Sequence, residues 1–131
     1  MHSRVRSVWT LIAILLATAS LGAHHYSAAL FELSKTVKLT GTLKSVDWRN
    51  PHIEFMVDVT GPEGTEAWKI ETNAPNWFRS RNIPRANFEN AINHSIKVEA
   101  APSKDGSLNG LLQKITFPDG SSVAMADART Q

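Results

Sequence analysis

Cysteine is absent from the 131 residues. That removes disulfides, thiolate nucleophiles, thiolate metal sites and cysteine lipidation, so packing alone must hold the fold together. Also missing is an apolar run long enough to cross a hydrocarbon layer, which takes about 20 residues, so no membrane span is expected. Charge of one sign is scarce, with Lys+Arg at 14 and Asp+Glu at 12. Two of the cations, Arg4 and Arg6, fall in a leader segment, and without them the chain is formally neutral. A neutral chain has no general attraction to phosphate backbones or anionic lipid, so nucleic acid is not an expected partner. The sequence shows no G-x-S-x-G elbow, no H-E-x-x-H and no Gly-rich phosphate loop. Its carboxylates are scattered singly, as solvated strand faces would place them, and the expectation is a protein that is not an enzyme.

What is present begins with the leader. Arg4 and Arg6 precede an apolar stretch from Val8 to Ala17 and a small-residue tail ending at Ala23. This is the three-part layout of a secretory signal peptide over residues 1–23, and it predicts a periplasmic or secreted product. Three cuts fit the small-residue rule. One follows Ala17-Thr18-Ala19, one follows Leu21-Gly22-Ala23 and exposes His24, and one follows Ser20-Leu21-Gly22 and leaves Ala23-His24-His25.

The rest of the chain, short enough for one domain, alternates in the manner of half-buried strands. An N-terminal arm is expected over 24–34, a barrel domain over 35–126 and a frayed end over 127–131. Val37, Leu39, Gly41 and Leu43 share one parity, whereas Val46 and Trp48 take the other. That slip predicts a long first strand with a bulge or bend between Gly41 and Ser45. Ile53, Phe55, Val57 and Val59 then alternate cleanly up to the turn Gly61-Pro62-Glu63-Gly64, and Thr65 to Thr72 returns with Trp68 and Ile70 inward. Pro75 opens a short helix with Trp77 and Phe78 toward the core, and a second helical turn covers Arg85 to Ile92. Ile96, Val98 and Ala100 make a fourth strand, Leu111, Ile115 and Phe117 a fifth, and Ser121 to Met125 a short sixth. Five main strands with a helical insert between the third and fourth is the order of an OB fold. The predicted class is all-β with one short helical insert, a small OB-like antiparallel barrel of five to six strands.

Candidate chemistry rests on histidine and tryptophan. A free amine and ring nitrogen on His24 would chelate copper or a similar divalent metal, with His52 or His94 supplying a third nitrogen. The alternative cut that puts His25 third suits square-planar copper or nickel. The metal ligands predicted are therefore His24, His25 and His52, the last presented by Asn50 and Pro51. Against this stands the ordinary behaviour of paired histidines at a chain end, which take up copper adventitiously. The aromatics give a second reading. OB barrels bind oligomers on the face of strands two and three by stacking. Most aromatics here are needed for the core, which leaves Trp48, beside the Arg49-Asn50-Pro51-His52 turn, as the rim residue. Trp48 and Asn50 are the predicted ligand-binding pair of a metal-free module for an envelope component, an oligomer or a partner protein. Sequence sets no oligomeric state.

His24-His25-Tyr26-Ser27-Ala28-Ala29 and Asp47-Trp48-Arg49-Asn50-Pro51-His52 together resemble an uncharacterised family of small exported bacterial proteins. Its members carry a His-His-Ser/Tyr-type segment after the leader and a Trp-x-Asn-Pro-His motif. Thr40-Gly41-Thr42, Ala74-Pro75-Asn76, Lys104-Asp105-Gly106 and Leu111 to Gly120 extend the likeness over most of residues 24 to 125. The resemblance implies a single exported β-domain and no established activity.

Overall fold

The structure is a computed structural model that describes residues 26–125. The expected leader and the histidines His24 and His25 lie outside the described residues. The chain divides into two compact units at Leu30–Phe31. In the first unit the described residues, 26–30, are helical.

The second unit is a barrel. Its strands are β1 (Val37–Asp47), β2 (Glu54–Gly61), β3 (Gly64–Glu71), β4 (Ser95–Pro102), β5 (Asn109–Thr116) and β6 (Ser122–Ala124). Helices α1 (Pro75–Arg79) and α2 (Ala86–Glu89) fill the connection from β3 to β4. Spatial order is β3-β2-β1-β4-β5-β6, and a β3–β5 pairing closes the first five strands into an OB-like barrel. The barrel is mixed where an antiparallel one was expected. β3 and β5 run parallel through Lys69↔Asn109, Ile70↔Gly110 and Glu71↔Leu111. The helical insert lies between β3 and β4, and the antiparallel β4–β5 hairpin then carries β5 back in the direction of β3.

β1 is the strand both halves share. Its first half pairs with β4, from Val37↔Ala100 to Thr42↔Ser95, and its second with β2, from Thr42↔Asp58 to Asp47↔Glu54. The predicted bulge lies at this handover, with Leu43 opposite Val57 and Ser45 opposite Met56, leaving Lys44 as the extra residue. It lets Leu43 and then Phe55's partner Val46 turn to the same interior despite their opposite parity. Gly41 is required here, because a Cβ would run into the Asp58 carbonyl and come within 2.9 Å of Val57 Cγ1.

β5 also slips, which the alternation did not reveal. Ala100 faces Leu112 and Glu99 faces Lys114, so Gln113 is the extra residue. In consequence Leu112 and Ile115 are buried, while Leu111, expected inward, is only half-buried. The expected arm is anchored at its far end: Phe31 is buried and bridges to Ser103.

Strand residues Leu43, Phe55, Val57, Ile70, Val98 and Ile115 fill the interior, and Phe78 and Phe88 from the helices complete it. Phe88 is the hub of an aromatic cluster, with ring centroids 5.3 Å from Trp48, 6.0 Å from Phe55, 5.5 Å from Phe78 and 5.1 Å from Phe117. These separations suit edge-to-face packing, and each buried Phe contributes about 1.5–3 kcal/mol by area alone. The two short helices are thus held by the rings they insert rather than by their own length.

Candidate functional site

The loop from Trp48 to Ile53 joins β1 to β2, and its two ends have different surroundings. At the far end Ile53 is buried, donates its N–H to the Asn73 carbonyl (3.2 Å) and accepts from Thr72 N–H (2.9 Å). His52 lies beside this stitch, its Nδ1 2.8 Å from Glu71 Oε1. Glu71 is 7% exposed, so this carboxylate is not on a solvated face as the sequence suggested. The signal for it was the hairpin register. Pairing Glu54 with Glu71 sets residue 52 diagonally across from position 71 on the same face.

At the near end, Trp48 is half-buried on Phe78 (5.4 Å) and Phe88 (5.3 Å). It also lines a cleft of about 560 Å³, open to solvent, whose apolar lining is completed by Pro75, Ile83 and Pro84. The polar lining is Arg79, Asn82 and Arg85. Trp48, expected at the rim, is half-buried and among the residues that line this cleft. Asn50 is exposed and does not line the cleft; the Asn50–Pro51 peptide is cis. Arg49 pairs with Asp47 at 2.6 Å.

Local sequence builds the opposite wall. Pro75 stands in the first turn of α1, where its missing N–H is no loss. Beyond α1, Asn82 adopts φ 55°, and the chain reverses. Ile83 N–H then bonds the Phe78 carbonyl (3.0 Å) and Asn82 N–H the Arg79 carbonyl (3.1 Å). This is the double bond of a Schellman stop, with asparagine tolerating the left-handed position. It brings Ile83 and Pro84 back to face Trp48 across the cleft.

The three arginines of this insert differ. Arg81 lies over the Trp77 ring at 4.1 Å and also bonds the Trp77 carbonyl. Trp77, expected to point into the core, is half-buried: it packs against the core beside Phe78 (4.9 Å) and also serves as that platform. Arg85 pairs with Glu89 at 2.7 Å, one helical turn on. Arg79 is exposed and its side chain has no hydrogen bond or ion pair among the described residues.

The outer face of β2 and β3 carries Glu54, Met56, Asp58, Ala67 and Lys69, with Lys69 paired to Glu54 at 3.5 Å. It has no aromatic ring, in keeping with the expectation that most of the aromatics serve the core. Nor do the described residues gather three metal-binding side chains in one place. His94 is exposed, with Nδ1 3.0 Å from the Ile92 carbonyl.

The family of unknown function DUF6152 matches the chain over residues 12–114. The chain belongs to that family. The DUF6152 match includes the whole loop from Trp48 to Ile53, both helices and both walls of the cleft, and ends within β5. No curated protein matches the chain. Among the described residues of this DUF6152 protein, no helix is long and apolar enough to cross a membrane.

Proposed function

We propose that this DUF6152 protein is an exported, metal-free binding module of the bacterial envelope that grips an envelope component, oligomer or partner protein in the cleft beside Trp48. The carrying observation is Trp48 itself, packed on Phe78 and Phe88 and still lining a cleft that also holds Arg79, whose side chain has no partner among the described residues. A ring fixed from behind presents apolar area at little entropic cost, which is why such residues dominate binding sites. The leader-like segment over 1–23 supports export, and the lack of a catalytic motif supports binding without turnover. The test is an NMR titration of the labelled chain with soluble oligosaccharides and short peptides. Shifts at the Trp48 indole, Arg79 and Ile83 are expected; shifts confined to the outer face of β2 and β3 would remove the cleft from consideration.

One observation favours copper as a second reading. A carboxylate on Nδ1 of a histidine fixes the tautomer whose Nε2 carries the lone pair, the arrangement metal-bound histidines use. Glu71 is so placed toward His52. His24 and His25 would complete the set. Copper titration of the exported form should show one tight site lost in His52→Ala, and equally weak uptake by both proteins would end this reading.

A further inference from the structure

We infer that the cleft takes a short acidic peptide segment of a partner protein, with carboxylates on Arg79 and Arg85 and an apolar side chain against Trp48. This deepens the binding-module reading and rests on it. Charge decides the ligand's sign. Arg79 has no partner among the described residues, and Arg85 has only an exposed pair one turn away, a weak interaction that an incoming carboxylate can replace. Arg81, engaged on Trp77, and Arg49, beside Asp47, do not line the cleft. The cationic character of the cleft is therefore confined to two guanidinium groups.

Two such groups match one or two carboxylates. They fall well short of the broad basic face that a nucleic acid or an anionic membrane engages. An uncharged sugar offers the guanidinium groups hydroxyl acceptors but no opposite charge, so its bonds there are weaker than those of a carboxylate. The apolar half of the lining, Trp48, Pro75, Ile83 and Pro84, calls for a ligand with a hydrophobic side chain next to its charge. Shape separates a peptide from a small molecule. Small ligands favour pockets that bury most of their surface, whereas this cleft stands open to solvent.

The test uses the full chain and a pool of capped tetrapeptides with two Glu or Asp and two apolar positions. A matching pool carries Gln and Asn in place of the acids, and a third arm uses phosphatidylglycerol vesicles. The acidic pool should shift the Trp48 indole, and the amide pool should bind about tenfold more weakly, as charge-assisted bonds to arginine imply. Arg79→Gln, an exposed change that leaves the core intact, should weaken the acidic peptides about fivefold, and added salt should do the same. Equal binding of both pools at Trp48 would overturn the acidic assignment and leave the module reading standing. No shift at Trp48 from either pool at millimolar concentration would overturn the peptide, and the module reading falls with it if vesicles and oligosaccharides also leave Trp48 unmoved. Vesicle binding that Arg79→Gln abolishes, with neither pool active, would replace the peptide by a lipid headgroup.

Discussion

A buried carboxylate without a donor is costly, and at Glu71 the donor is the His52 ring. Removing it with His52→Ala should destabilise the barrel by about 1–2 kcal/mol, with His52→Gln, which keeps an N–H donor, closer to wild type. Urea unfolding of the three proteins checks this, and identical midpoints would mean that the contact contributes nothing. Asp105 behaves oppositely because it is exposed but richly bonded. The Ser107 hydroxyl first, then the Ser107 N–H and the Ser103 hydroxyl, hold its carboxyl down to about 2 from an ordinary 3.8. A folded value below the unfolded one means that the contribution is present above about pH 3.8 and lost as pH falls through about 2. Carboxyl NMR titration should find that low value, and Ser107→Ala should move it toward 3.8. Residues of this kind were only partly legible. Trp48 stood out because a turn-forming Arg-Asn-Pro-His follows it. Glu71 did not, since its burial depends on a neighbour nineteen positions away in the hairpin.

Among the elements, α1 shows how a short helix earns a defined end. Asn82 at φ 55° sets the reversal that supplies one wall of the cleft. Asn82→Gly should be neutral or slightly stabilising. Asn82→Val puts a branched side chain in the left-handed region and should cost about 1–2 kcal/mol. Thermal melts give the cost, and an NMR spectrum in which the Trp48 indole stays unmoved by Asn82→Val would show that the turn does not shape the cleft. The start of this helix was readable from Pro75, and the β1 bulge from the switch of apolar parity after Leu43. The β5 bulge was not, because Leu111 and Leu112 are adjacent and both apolar, so alternation alone could not say which pointed inward. Trp77 was legible only in part, for a related reason. An aromatic next to Phe78 reads as core, but in a single helical turn adjacent residues face different ways, so Phe78 is fully buried while Trp77 packs at the core's edge with Arg81 over its ring.

At the scale of the molecule, closure depends on a seam of three residue pairs between β3 and β5, far shorter than the eight pairs joining β2 to β3. Strand count and the place of the helical insert were legible from local pattern and pointed to the OB-like barrel. The parallel sense of the seam was not, because it depends on where β5 meets a strand some forty residues earlier. Gly110 occupies the middle of that seam, opposite Ile70. A Cβ there would stand 2.9 Å from the Ala100 Cβ and 3.3 Å from Ile70 Cδ1, so any side chain must push β4 and β5 apart. Gly110→Val should therefore cost about 1–3 kcal/mol, as overpacking does. The loss should also be local before it is global. Amides along β3–β5 should exchange with solvent faster in Gly110→Val, while those linking β1 to β4 keep their protection. Uniform acceleration across all strands would show instead that the seam opens only with the whole barrel.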